Sequence, residues 1–551
     1  MRSFLVASVF ASLLPVGGAL ATPYPLPPEP SAPYVSRAPL PPPSTLHARP
    51  ADDAAAISRG LRAAVVAGRL SRAEAEEYRA VVRRARAAIG RLPRSRSSVI
   101  ARVLHQVRIQ ASAFNRARAL ALFSMLEQNA TYLSRRGLPG NETDVVGKYG
   151  IVYRVGWGYG LQFHPLANVI ALNAHLYADR RERAIRLASA LASRAVPTSQ
   201  GAVWEYYFPY AGGSPPWTSG MAQAIGAQAF ARTARRLTAP HFFETAGRAY
   251  RAIPGRLAFQ VSTGPWIRLY SFSGLVVMNA QLQSALSLVD YGRITDDVEA
   301  IGLGDRLEDA ARNLMPRFDT GHWTNYSPGS EAPLKYHLYH VELAEALAGR
   351  TNADFWRSAH ARFDRYSHEP PVFKSGPQRA TLYPWPSDGY RDSSRISLWV
   401  SKISTVSVTV GGETRRLGLS RRGWQAFTWS PGRRQAGIYR PVVTAVDLAG
   451  NRGRGELRPL RIAIDRDPPK VSVNVTGRRL TWRATDNATP WVRLTLRLER
   501  GAEARIAALG RRPLSGSLRL PIPAGRWEGT LVVADSSRNR TRVALGSLPA
   551  G

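Results

Sequence analysis

His368-Glu369-Pro370-Pro371-Val372 is where this sequence changes its pattern. Before it, segment after segment carries apolar residues at helical spacing. After it, Val406-Ser407-Val408-Thr409-Val410 and Val471-Ser472-Val473-Asn474-Val475 alternate apolar and polar residues. Such alternation belongs to half-buried strands, whose successive side chains point to opposite faces. The expected fold class is therefore multidomain α plus β, helical first and all-β second.

Towards the C-terminus the β half repeats itself. Ala436-Gly437-Ile438-Tyr439 leads to Asp447 and Asn451, and Ala524-Gly525-Arg526-Trp527 leads to Asp535 and Asn539, each 88 positions further on. A β-sandwich takes about 100 residues, so two tandem Ig-like sandwiches are expected over 371–466 and 467–551. Asp467-Pro468-Pro469 marks the boundary between them. Asp447-Leu448-Ala449-Gly450-Asn451 suggests a calcium loop, but a β-turn with an Asx hydrogen bond explains it better.

Towards the N-terminus, eight helices are expected at 164–178, 181–195, 217–236, 240–252, 270–290, 296–315, 333–349 and 352–366. Their number and spacing suggest antiparallel pairs closing into an (α/α) toroid over 141–370, with a stacked helical repeat as the alternative. A short hairpin over 145–163 (Val146, Ile151, Tyr153, Val155) opens this domain. Residues 51–140 form a further helical region. There Ser71-Arg72-Ala73-Glu74 is a capping box for a helix running towards Ile89, and further helices run from Ser97 to Phe114 and from Asn115 to Ser134. Residues 22–50 are a Pro-rich linker. Met1-Arg2, the apolar run Phe4 to Leu20 and Ala19-Leu20-Ala21 make 1–21 a secretory signal peptide, since Pro15, Gly17 and Gly18 interrupt the run as a membrane anchor. No later stretch is apolar enough to span a bilayer. A secreted or cell-surface protein is expected.

The chain has 551 residues, with 75 Lys and Arg against 39 Asp and Glu, a net +36. That charge suits a polyanion, and the export signal turns the expectation from nucleic acid to an acidic, uronic-acid-containing polysaccharide or a cell-surface polyanion. Residues 371–551 hold 32 Lys and Arg against 12 Asp and Glu, a net +20. The β half therefore carries more than half of the charge. It reads either as a polyanion-binding appendage or as a solvated basic surface. There is no cysteine, which excludes disulfides, thiol catalysis and Cys-ligated metal. A homodimer stays open.

Four aromatic-rich segments interrupt the helices: Trp204 to Tyr210, Pro216 to Gln223, Gly264 to Tyr270, and Asp319 to Tyr326 with Lys335 to His340. Indole and phenol rings give flat platforms for sugar rings and polar handles for hydroxyls, so a carbohydrate cleft is expected. His337 and His340 share one helix face. With Glu342 or Asp319 they are a weak metal candidate. Substrate contact is the preferred functional reading beside plain packing, and no metal and no cofactor are expected.

Trp217-Thr-Ser-Gly-Met-Ala-Gln223, Trp266 to Tyr270, Asn279, Asp319-Thr-Gly321 and Tyr336-His337-x-x-His340 resemble the C-terminal catalytic domain of D-glucuronyl C5-epimerases, over roughly residues 145–367. The resemblance implies an (α/α) barrel and an isomerase that converts glucuronic to iduronic acid within a glycosaminoglycan such as a heparan sulfate-like chain. It implies Tyr270, Tyr326 and Tyr336 as catalytic residues. Trp217, Ser219, Gln223, Trp266, Arg268, Asn279, His337 and His340 are the expected substrate-binding residues. Arg268-Leu269 precedes Tyr270 where the family has acidic residues, Ser271 follows it where the family has proline, and the loop from Tyr326 to Tyr336 is shorter. If a carboxylate base is needed there, either another group such as Glu331 or Glu205 does the work or the reaction differs. Inverting C5 requires a proton to leave one face of the ring and return on the other, so one acid/base group is needed on each face. Tyrosine serves if neighbouring cations lower its pKa, and Arg268, Lys335 and the two histidines are the candidates. A uronate lyase and a non-catalytic binder of acidic glycans are the alternatives.

Overall fold

The structure, a computed structural model, describes residues 50–156, 158–351 and 354–549. The expected signal peptide and all of the linker but Pro50 lie outside the described residues. The chain divides into two compact units between Tyr366 and Ser367.

The helical unit opens with α1 (Pro50–Val66), α2 (Arg72–Arg91), α3 (Arg94–Ile109) and α4 (Arg116–Arg135). The capping box is present: Glu74 N donates to Ser71 Oγ (3.1 Å) and Ser71 N to Glu74 Oε2 (2.8 Å). Asn115 caps α4 by accepting from Arg118 N at 2.9 Å. Strands Asp144–Val146, Val152–Gly156 and Gly160–Phe163 follow as one antiparallel sheet, one strand more than the hairpin expected. Asn129 of α4 serves as its edge partner, donating to Leu161 O (2.7 Å) and accepting from Leu161 N (2.9 Å).

Eight helices come next: α5 (Pro165–Tyr177), α6 (Arg181–Ala192), α7 (Gly220–Arg236), α8 (Phe242–Arg251), α9 (Met278–Thr295), α10 (Val298–Leu314), α11 (Leu334–Thr351) and α12 (Asp354–His368). They follow the expected segments within a few residues, with one exception. The segment expected to be helical from 270 begins only at Met278. Residues 268–277 are instead a loop, because their backbone groups bond outside any helix. Ser271 N donates to Thr218 O (2.8 Å), and Thr218 N donates back to Ser271 Oγ (3.1 Å).

Helices α5, α7, α9 and α11 pack on one another in that order, while α6, α8 and α10 each pack on the helix before them. The centre of the inner row is buried all round. Every residue of α9 from Met278 to Gly292 is buried, as befits a helix covered on all sides. Small residues allow the close packing: a Cβ on Gly304 of α10 would lie 2.9 Å from Ala285 O of α9. Polar groups inside the row satisfy each other. Tyr339 donates to Gln283 Oε1 (2.5 Å), Gln283 to Ser287 Oγ (3.0 Å), and Ser287 to Gln228 Oε1 (3.3 Å). Gln228 donates to Asp290 Oδ2 (3.0 Å), which also takes Arg232 Nε at 2.6 Å.

The second unit is all β, built as two sandwiches. In the first, the sheets pack around Ile396, Leu398, Val406, Val408, Val443 and Leu460. In the second they pack around Leu480, Trp482, Leu494, Leu496, Trp527 and Leu531. Burial alternates residue by residue along Ser404–Val410, as the valine spacing predicts. The turn at Asp447 is closed as an Asx turn: its Oδ1 accepts from Ala449 N (3.0 Å) and Asn451 N (2.8 Å). Lys402 Nζ lies 2.9 Å from Asp447 Oδ2, with both side chains almost wholly buried.

In the second sandwich the repeated Asp535 has other company. It converges with Asp465 and Asp486, with one oxygen of each within 4.8 Å of the others. Burial, then the charges of Asp465 and Asp486, push the Asp535 carboxyl up to about 6, against hydrogen bonds from Asn539 that lower it. A carboxyl raised in the folded state stabilises the fold while protonated and loses that contribution as pH rises through the folded value. Asp535→Asn removes the titration. Its melting temperature relative to the parent chain is expected to rise between pH 4 and pH 7 and to stay level below pH 4, as thermal scans across pH will show.

Candidate functional site

The four aromatic segments meet. Tyr206 N donates to Trp217 O (2.8 Å) and Trp217 N to Tyr206 O (3.2 Å), joining the first two segments as a short antiparallel bridge. Their rings stack at 3.9 Å and 2°. Trp217 Nε1 donates to Phe208 O at 2.7 Å. The third segment is attached to the second through the Thr218–Ser271 pair and through Gly220 N, which donates to Arg268 O at 2.8 Å. A Cβ on Gly220 would sit 2.7 Å from that carbonyl, so this position must be glycine for the segments to meet so closely.

The fourth segment turns at Gly321 (φ +81°), whose N–H donates to Asp319 Oδ1 at 2.9 Å. It continues into the strand Asn325–Ser327, paired with Ser330–Glu331. Trp323 is fully buried and donates to Ala332 O at 2.7 Å. Thr324 Oγ1 lies 2.8 Å from His337 Nδ1 and 2.8 Å from His340 Nδ1. A hydroxyl carries one proton, so at most one Nδ1 accepts it and the other ring donates from Nδ1–H. Trp323 stacks on His337 at 3.6 Å.

These contacts bring four tyrosines together. Tyr210 and Tyr270 have ring centroids 5.3 Å apart, and Tyr326 and Tyr336 4.9 Å apart. The Tyr270 side chain hydrogen-bonds with both Tyr210 and Tyr326, which links the two pairs. Trp217 meets Tyr270 edge-on at 5.6 Å, and Phe272, 38% exposed, stacks beside Tyr270 at the same distance.

Burial pushes Tyr270 well above the usual phenol range, and the neighbouring phenols Tyr326 and Tyr210 push it further. Burial likewise raises Tyr326, opposed by its hydrogen bond with Tyr270. Tyr210 is pushed up to about 12 by burial, against its hydrogen bond with Tyr270. This corrects the expectation that cations lower these phenols. Arg268 lies over the Phe259 ring at 4.7 Å and donates to Ser273 O (3.2 Å). At neutral pH the buried phenols are hydrogen-bond donors and acids.

Nine of the eleven expected site residues fall into two sets. Tyr270, Tyr326, Tyr336 and Trp217 converge. Ser219, Gln223, Trp266, His337 and His340 are buried in the supporting framework. Ser219 caps α7 by accepting from Ala222 N (3.3 Å), Gln223 donates to Ala202 O (2.6 Å), and Trp266 stacks on Phe318 at 5.8 Å. Both histidines are 0% exposed and reach Thr324 rather than a surface. Their metal option is weakened, because Asp319 is held by Arg362 (3.1 Å) and Tyr366 (2.9 Å). Asn279, the second residue of α9, has its Oδ1 buried and without a hydrogen-bond partner among the described residues.

Of the two substitute carboxylates, Glu205 is clamped by Arg118 at 2.7 and 2.8 Å. Glu331 stands across the strand pair from Asn325, next to Tyr326. Two further residues complete the cluster: Tyr210, and Thr324 behind it. The density of rings from 204 to 210 was the signal for Tyr210; nothing local singles out Thr324.

No curated protein matches the chain. Among solved structures, an endoglucanase from Komagataeibacter sucrofermentans is 13% identical over 36% of this chain and 71% of its own, with TM-score 0.27. The endo-beta-1,4-glucanase CMCax from Acetobacter xylinum is also 13% identical, over 36% of this chain and 71% of its own, with TM-score 0.28. The fibronectin(III)-like modules of Clostridium thermocellum CbhA are 14% identical over 32% of this chain and 90% of their own, with TM-score 0.15. Residues 198–365, the stretch that holds all four tyrosines, match the family described as D-glucuronyl C5-epimerase C-terminus, and this part of the chain belongs to that family.

Proposed function

We propose that the helical unit inverts C5 of uronic acid residues in an anionic polysaccharide by removing a proton and returning it on the other face. The observation that carries this reading is the convergence of Tyr210, Tyr270, Tyr326 and Tyr336 within the epimerase-family segment. The C5 proton lies α to a carboxylate, so charge builds on the carboxylate oxygens as the proton leaves. Neutral phenols held out of water are donors for that charge. Tyr326 is the proposed base: it is one of the three tyrosines the family resemblance implies, it lies beside Tyr336 at 4.9 Å, and its hydrogen bond with Tyr270 favours the anion. Tyr270 and Tyr336 donate to the substrate, and one of them returns the proton. One proton leaves C5 and one arrives, so the step asks for no redox cofactor.

The rest of the assignment follows the sequence. The inner row of helices closes as an (α/α) toroid, the two sandwiches are Ig-like, the chain is exported to the cell surface or beyond, and the basic β unit holds anionic polymer. A non-catalytic glycan binder is the second reading, favoured by Arg268-Leu269 standing where the family has acidic residues before Tyr270.

Incubation with several polyuronates in heavy water is expected to place deuterium at C5 without chain cleavage. An ultraviolet-absorbing unsaturated product marks a lyase instead, and neither signal with any polymer leaves the binder. Tyr270→Phe and Tyr336→Phe are each expected to slow label uptake by about 10²–10⁴-fold. Unchanged uptake in both removes the tyrosines from the chemistry.

With Tyr326 as base, kcat/KM is expected to climb with pH through 7 to 9, approaching about tenfold per unit while the phenol is mostly protonated. A profile flat above pH 6 assigns the base to a carboxylate such as Glu331.

A further inference from the structure

The first sandwich has a sheet of three strands, Phe373–Ser375, Ser394–Val400 and Gly423–Trp429, paired in that order. Ile396, Leu398 and Val400 point into the core, so Arg395, Ser397 and Trp399 point out. The register sets Lys374, Trp399 and Trp424 side by side in one outward row. Trp424 is 58% exposed, a large apolar surface to leave in water.

The neighbouring row is made of small residues. Gly376 N donates to Ser397 O at 2.8 Å, and Ser397 stands opposite Ala426. A Cβ on Gly376 would lie 2.7 Å from Cζ3 of Trp424 and 2.7 Å from Cβ of Ser397. The indole therefore leans across the small row with its edge against Gly376. The glycine leaves room for it, and the ring is seated against the sheet before any ligand arrives.

Two cations lie over the Trp399 ring. Lys374 Nζ is 4.9 Å from the Trp399 ring centroid, and the Arg422 guanidinium is 5.6 Å away. Further along the same outward face, Arg395 and Arg379 line a pocket of about 400 Å³ with Gln378 and Ser393. Gln378 Oε1 is buried there without a hydrogen-bond partner among the described residues.

We propose that this face is a binding site for an anionic saccharide chain, separate from the tyrosine cluster. Trp424 stacks on the C–H face of a sugar ring, and Trp399 holds Lys374 and Arg422 beside it. Lys374, Arg422 and Arg395 pair the carboxylates. The face itself sets the chemistry of the ligand; only its identity with the polymer modified by the helical unit rests on the uronate reading above.

The test is affinity electrophoresis of the full chain through gels containing a long polyuronate, a neutral glucan or duplex DNA. Label uptake at C5 of a short oligouronate is measured alongside. Trp424→Ala is expected to weaken retention by polyuronate about tenfold, and Trp424→Phe, which keeps a ring, to recover most of it. Label uptake is expected to stay at the parent value in both. Parent-like retention of Trp424→Ala overturns the site. Equal, Trp424-dependent retention by neutral glucan or by DNA overturns its anionic-saccharide specificity. Retention by polyuronate that depends on Trp424, in a chain that places no label at C5, upholds the face and removes the enzymatic reading instead.

Discussion

A phenol taken out of water needs a hydrogen-bond partner, and Tyr270 finds two among other phenols, Tyr210 and Tyr326. Everything nearby serves that arrangement. Gly220 allows one loop to approach another, and the Thr218–Ser271 pair keeps the Tyr270 loop out of helix α9. Thr324 joins the turn before Tyr326 to the helix that carries Tyr336, through His337 and His340. The same desolvation makes the phenols weak acids. At neutral pH they are therefore hydrogen-bond donors, the form that suits the growing negative charge of the proposed reaction.

Within the supporting row α5, α7, α9, α11, helix α9 is buried from Met278 to Gly292, while α11 keeps Leu338, Glu342 and Glu345 exposed. Polar residues inside the row form one continuous network from Tyr339 to Arg232 rather than scattered pairs. A buried network of this kind holds helices in one register, since slipping any helix would leave donors and acceptors unpaired at about 1–3 kcal/mol each. The β unit solves the same problem twice with different residues. Asp447 has Lys402 buried beside it, while its repeat Asp535 has two further carboxylates and a raised pKa.

Much of this was legible in order along the chain. The capping box at Ser71, the helix series, the switch to strands after Pro371 and the 88-residue repeat are local patterns, and each found its expected element. The one helix drawn too long, from 270, failed for a tertiary reason: its first residues bond to Thr218, far away in sequence. The residues expected to bind substrate are of two kinds for the same cause. Gln223, Trp266 and His340 are polar or aromatic in the right segments, but burial gives them to the framework.

The sequence by itself determined the order of helices and strands, the places where glycine and proline interrupt them, the concentration of positive charge in the β half and the motifs of the epimerase family. These follow from periodicity, backbone preference and composition, which act over a few residues. Only the tertiary structure decided which aromatic rings share a cluster, that their phenols are raised rather than lowered in pKa, and that Trp424 lies against Gly376. Those outcomes depend on desolvation and close approach between segments tens of residues apart, and no local pattern records them.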